Sequence, residues 1–179
     1  NNFENVASGP TYKDVTTISD AEKIITENNL GNFNLIETPK EDKYFEKVHN
    51  FILVSNETAV EAMAQKGKEF GFQTKIVSTE LYNEIEKALP EIFSAKENGA
   101  AIFAAGEPSI KVKKGGGKGG RNLHMGLKAM EMKLIDEDSV FISLASDGMD
   151  NSDSAGAVVD KNTAEKAGKL DLNVENYLE

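Results

Sequence analysis

Apolar residues change their spacing several times along this chain, and each change marks an element. In SDAEKIITENNL (19–30) they recur at helical intervals, with Ser19 or Asp20 placed to cap a short amphipathic helix. Ser8-Gly9-Pro10-Thr11 before it reads as a turn, and ETPKEDKYFEK (37–47) after it as a polar linker. From Val48 onward, short apolar runs alternate with helical spacing. NFILVSN (50–56) reads as a buried strand, ETAVEAMAQKGKEFG (57–71) as a helix stopped by Gly71, and FQTKIVST (72–79) as the next strand. ELYNEIEKALPEIFSAKENG (80–99) follows as a helix kinked or broken at Pro90. Two strands, AAIFAAGE (100–107) and PSIKVK (108–113), lead into a glycine loop and a helix over 122–135. SVFISLAS (139–146) is a further strand, and a loop and a terminal helix complete the pattern. The alternation predicts an α/β fold of three layers, α/β/α, around a mainly parallel (mixed) sheet. In such sheets ligands collect beyond the carboxyl ends of strands, where Ser55, Asn56, Glu107 and Asp147 stand.

Charge singles out one stretch of this pattern. The chain carries a formal charge of −10, yet no acidic residue lies between Glu107 and Glu131. Lys111, Lys113, Lys114, Lys118, Arg121 and Lys128 make a positive island within KVKKGGGKGGRN and the helix behind it. A glycine loop feeding a helix N-terminus offers unpaired N–H donors and the positive end of the helix dipole, which suits a phosphate or carboxylate. Gly115, Gly117 and Gly120 fit G-x-G-x-x-G, a match that is nearly automatic in so glycine-rich a run. The loop is not a Walker A motif, because Lys118 is followed by Gly119 rather than by Ser or Thr. A solvated turn is the competing reading.

The second constellation is SDGMDNSDSAGAVVD (146–160). Asp147, Asp150 and Asp153 with Ser146, Ser152 and Ser154 form an oxygen-rich set that suits magnesium better than a softer metal. An EF-hand is excluded by the three-residue spacing and by Val158 at the twelfth place. Asp, Asn, Ser and Gly are equally the residues of a tight loop.

The remaining composition narrows the classes. A chain of 179 residues suffices for one α/β domain or parts of two, burying roughly 70% of the surface of the unfolded chain. The absence of cysteine excludes disulfides and thiolate metal sites, and His49 and His124 are too few for a histidine-built centre. No apolar run reaches the roughly 20 residues of a membrane helix, and no signal peptide opens the chain, so a cytoplasmic protein without membrane partners is expected. The acidic balance argues against nucleic acid as a partner. The first residue is Asn1 rather than methionine, which reads as a piece of a longer chain or a processed product.

Taken in order, ASGPT (7–11), VSN (54–56), AAGE (104–107), GGRN (119–122) and the 146–160 loop resemble the glycerate 2-kinases whose C-terminal portion is the MOFRL domain. The resemblance implies transfer of the γ-phosphoryl group of ATP to D-glycerate, giving 2-phosphoglycerate, with Mg2+ and ATP as cofactors and glycerate as substrate. It implies that residues 1–97 are the end of the first kinase region with one βαβ unit, and that 98–179 are the MOFRL-like domain. By this resemblance Gly115, Gly117, Lys118, Gly119 and Gly120 would bind phosphate, with Asn122 beside them. Arg121 would face transition-state charge or the substrate carboxylate, and Asp147 or Asp150 would hold magnesium. Ser8, Ser55, Asn56 and Glu107 are further binding candidates. The sequence departs from the family pattern at Leu123-His124, where Gln-Glu is usual, and at Ser146, where Thr is usual. An N-terminal region with a lysine thought to be catalytic, and a glycine- and threonine-rich segment near the C-terminus, have no counterpart in the chain, so binding without turnover is expected of it alone. Two alternatives stay open: an NAD(P)H-dependent hydroxypyruvate reductase and a non-catalytic ligand-binding module. A homodimer is also left open.

Overall fold

The computed structural model describes residues 9–112 and 117–178. They divide into two compact units, 1–55 and 56–179.

In the first unit, α1 (Ile18–Glu27) is the amphipathic helix expected there, and its cap is Thr17 rather than Ser19 or Asp20. The Thr17 side chain accepts from the Asp20 N–H, and the Asp20 carboxylate accepts from the Thr17 N–H at 2.8 Å, a reciprocal capping box. Polar contacts hold the rest. Lys40 pairs with Asp14 at 3.3 Å and with Glu37 at 3.2 Å. Bonds from Thr16, then from Thr38, keep the Asp14 carboxyl well below the usual carboxylate range. The expected strand at 50–56 does not form: Phe51 and Leu53 are exposed, at 78% and 90%. An apolar run becomes a strand only with a ladder partner, and none of the described residues supplies one.

The second unit begins with a helix and the βαβ unit that follows it. In α2 (Asn56–Glu69), Val60, Ala64 and Gly67 are buried at four- and three-residue steps, one face of a helix. That face lies on β1 (Gln73–Leu81) and β2 (Ala100–Gly106). At Gly67 an added Cβ would stand 2.9 Å from Thr74 Cγ2, so glycine sets how closely helix and sheet approach. β1 and β2 pair in parallel from Gln73↔Ala100 to Leu81↔Gly106, joined through α3 (Ile85–Ser94). β1 runs two residues past the sequence expectation, and Pro90 lies within α3 without ending it. The expected strand at 108–113 reduces to one bridge, Glu84↔Ser109.

The α/β class holds, with pairing both parallel and antiparallel, and the described strands form two two-stranded sheets. The second sheet joins β3 (Val140–Leu144) to β4 (Gly156–Asp160) in antiparallel register, Phe141↔Val159 and Ser143↔Ala157. β4 occupies what the residue pattern presents as the end of a loop. Its inward residues, with Phe141, meet α4 (Arg121–Glu131) and α3 in one core of Ile85, Leu89, Met125, Ala129, Phe141 and Val159. Phe93 packs its ring 5.4 Å from that of Phe141. α5 (Lys161–Lys169) follows β4, capped by Asp160 through the Thr163 N–H at 2.7 Å.

Leu89 is fully buried in this core. Leu89→Ala is expected to lower unfolding stability by about 2–5 kcal/mol, the range for a buried leucine whose cavity closes only in part. Chemical denaturation of the chain measures it.

Candidate active site

The second unit draws its chemistry to the N-terminus of α4. The helix starts at Arg121 behind Gly120, which has no side chain with which to cap it. The orphan N–H groups of the first turn are instead satisfied from a distant loop. Asp150 Oδ1 accepts from the Asn122 N–H at 3.1 Å and from Asn122 Nδ2 at 3.0 Å, and Asp150 Oδ2 accepts from the Leu123 N–H at 2.7 Å. Asp150 is only 5% exposed, so the charge is buried and is met by three donors. Asn122 Oδ1 in turn accepts from Ser143 Oγ on β3 at 2.7 Å. Ser143, Asn122 and Asp150 thus tie the strand, the helix start and the loop into one buried polar chain.

The loop between β3 and β4 is shaped to deliver that carboxylate. Its ends are joined by the Ala145 N–H donating to the Ala155 carbonyl at 2.7 Å and the Asp150 N–H donating to the Ser154 carbonyl at 2.8 Å. Gly148 and Asn151 turn the chain through positive φ, 86° and 51°. Asn151 Nδ2 donates to the Gly119 carbonyl at 3.1 Å, a second tie to the glycine loop. Gly119 itself has φ 129°, which favours glycine.

Arg121 and Glu107 meet across the same helix end. Arg121 Nη1 lies 2.6 Å from Glu107 Oε1, just beyond β2, and both side chains reach solvent. Asn56 stands by the corresponding end of β1, its Nδ2 donating to the Thr79 carbonyl at 3.2 Å. The carboxyl end of the parallel pair therefore carries Asn56, Glu107 and, through Glu107, Arg121. Ser55 belongs to the first unit. Lys118 and Gly117 are exposed in the loop. Ser8, Lys113, Lys114 and Gly115 lie outside the described residues.

Two sequence expectations change here. The helix-end donors anticipated for a ligand anion already hold an internal one, because the Asn122 and Leu123 N–H groups bond to Asp150. What faces solvent is the Arg121 guanidinium and the Lys118 side chain. The two aspartates read as a magnesium pair also differ in setting. Asp147 is exposed and caps its own turn through the Met149 N–H at 3.1 Å, whereas both oxygens of Asp150 are turned to N–H donors. Among the described residues no three His, Cys, Asp or Glu side chains gather as a metal-holding group. Asp147 has the exposure and chemistry of a hard-cation contact, and Asp150 does not fit one.

His124, on the second turn of α4, is half-buried, and burial pulls its pKa below the ordinary 6.5, with Glu86 opposing the shift and Lys128 adding to it. A lowered folded value means that the unfolded chain takes the proton more readily. Its contribution is therefore intact above pH about 6.5 and is lost as pH falls below that value. His124→Gln is expected to flatten the fall in melting temperature between pH 7 and pH 5, which thermal scans across that window would record.

Residues 100–179 match the MOFRL family, a stretch that takes in the glycine loop, α4, the aspartate loop and both antiparallel strands. The chain as a whole is 31% identical over 204 residues to the glycerate 2-kinase of Pyrococcus horikoshii, a match covering 99% of this chain and 46% of that protein. It is 29% identical over 190 residues to the D-glycerate 2-kinase of Thermotoga maritima, covering 97% and 45%. A crystal structure of a glycerate kinase from Thermotoga maritima superposes with a TM-score of 0.72 at 28% identity, over 99% of this chain and 46% of that one. The chain spans slightly less than half the length of these relatives.

Proposed function

We propose that this chain is part of an ATP-dependent glycerate 2-kinase, which transfers the γ-phosphoryl group to the 2-hydroxyl of D-glycerate. The observation that carries the reading is similarity along 97% to 99% of the chain to proteins named for that activity. The placing of an arginine, a glycine loop and an aspartate loop around one helix end agrees with it. Phosphoryl transfer asks the protein mainly for alignment and for neutralisation of charge on the transferring oxygens. Arg121 is assigned to that charge or to the glycerate carboxylate, with Glu107 orienting its guanidinium. Lys118 and the backbone of Gly115, Gly117, Gly119 and Gly120 are assigned to phosphate, with Ser8, Ser55 and Asn56 as further binding groups. Magnesium neutralises nucleotide phosphates in such transfers, and Asp147 is the residue assigned to contact it. A division near residue 98 between two regions of the whole protein, and a cytoplasmic setting, belong to the same proposal.

The reductase alternative has less support. A dinucleotide fingerprint belongs in a strand–loop–helix–strand unit of a parallel sheet. Here residues 108–112 form a single bridge, and β3 pairs antiparallel with β4. Two coupled assays on the full-length protein separate the readings. ADP release that depends on D-glycerate is expected, and NAD(P)H oxidation by hydroxypyruvate is not. The reverse pattern would transfer the assignment to the reductase.

A further inference from the structure

We infer that Asp150 is a positioning residue: a built-in counter-anion that fixes the start of α4, and with it Arg121 and Asn122, rather than a ligand to a metal ion. The inference rests on the kinase reading for its consequence in turnover and on geometry alone for the role itself. A helix that begins with glycine lacks its own cap, and the first turn of α4 would leave N–H donors unsatisfied in a buried place. Asp150 arrives 28 residues later in sequence and meets Asn122 through backbone and side chain, and Leu123 through backbone. The fit is close on the other side as well. A Cβ on Gly120 would stand 2.4 Å from Asp150 Oδ1 and 2.9 Å from the Asp150 carbonyl oxygen, so the carboxylate fills the place a side chain would take.

The Asn122 amide is also fixed at both ends. Its Nδ2 donates to Asp150 and its Oδ1 accepts from Ser143, which sets the amide orientation and leaves Asn122 a member of this network. A cation at Asp150 would meet a carboxylate that is 5% exposed and already accepts three hydrogen bonds, two at Oδ1 and one at Oδ2. The helix dipole also places positive partial charge there, which opposes a metal ion and favours the aspartate. The carboxylate thus cancels the positive helix end that would otherwise repel Arg121, letting a guanidinium stand at a first helical position.

The test is Asp150→Asn in the full-length protein, which keeps shape and removes one acceptor and the charge. Amide hydrogen exchange at Asn122 and Leu123 is expected to quicken by about tenfold, in line with loss of a helix cap. With kinase activity present, kcat is expected to fall by about 10- to 100-fold, as when a group that orients a catalytic one is lost. KM for ATP and glycerate and the magnesium concentration for half-maximal rate should stay within about twofold, since a positioning residue touches none of them. Unchanged exchange at both amides, or a magnesium requirement raised about tenfold or more, would overturn the inference. If Asp150→Asn does not fold, Asp150→Ser serves instead: a shorter, neutral side chain cannot reach both first-turn amides, so exchange at Asn122 and Leu123 should rise about threefold or more with the magnesium requirement unmoved. Unchanged exchange in that variant would equally overturn it. A full-length protein with no glycerate-dependent turnover would refute the kinase reading while the exchange measurements still decide the role of Asp150.

Discussion

Arg121→Ala in the full-length protein is expected to slow glycerate phosphorylation by about 10³-fold or more while leaving the fold as stable as before. The size follows from what an arginine contributes when it neutralises a transferring phosphoryl group. The unchanged stability follows from two opposing small quantities. The pair with Glu107 is 2.6 Å long but open to solvent on both side chains, at 39% and 70%, and such surface pairs contribute about 0–1 kcal/mol. A cation at a helix N-terminus costs on the order of 0.3–1 kcal/mol, less here because Asp150 already counters the positive end. Lysine should restore the charge without the planar fork and so rescue only part of the rate. Steady-state kinetics with thermal unfolding on the same samples measures both halves, and a variant that keeps its rate would remove Arg121 from the site.

The second large effect is expected from Gly120→Ala, and it concerns stability first. The backbone at Gly120 is extended, with φ −126°, so alanine meets no conformational penalty. The cost is steric. The new Cβ would lie 2.4 Å from Asp150 Oδ1 and 2.7 Å from its Cγ, distances that real side chains do not tolerate. Either the aspartate loop or the start of α4 must move, breaking the bonds from Asn122 and Leu123. About 2–4 kcal/mol of destabilisation is expected from overpacking together with a lost cap. Denaturant titration of Gly120→Ala against wild type measures it, and a variant within 0.5 kcal/mol, roughly the spread of a neutral substitution, would mean that the glycine is only a turn residue.

The elements that stand on local pattern are legible in the order of residues alone. Helical spacing locates α2, and the apolar runs locate β1, β2 and β3, because burial of one face is written into the spacing of apolar side chains. What depends on a distant partner is not legible in this way. Phe51 to Val54 read as a strand from hydrophobicity, but a strand also needs a ladder, and residue order does not name its neighbour. β4 is hidden because Ala157, Val158 and Val159 make too short an apolar run to announce a strand directly behind a loop rich in Asp and Ser. The site divides in the same way. The basic glycine loop and the aspartate loop can both be picked out, and that they meet at one helix end cannot. Asp150 shares a spacing with Asp147 that suggests a common ligand set, yet the two face different partners. A missing cap at Gly120 is the one available signal that some distant group must complete α4.

Phosphorus NMR of the product made by the full-length protein from ATP and D-glycerate decides whether the protein is a glycerate 2-kinase. ADP and a single phosphomonoester coupled to the proton on C2 of glycerate are expected, formed only when both substrates are present. A phosphate on C3, or ATP hydrolysis to inorganic phosphate that glycerate does not alter, would contradict that reading.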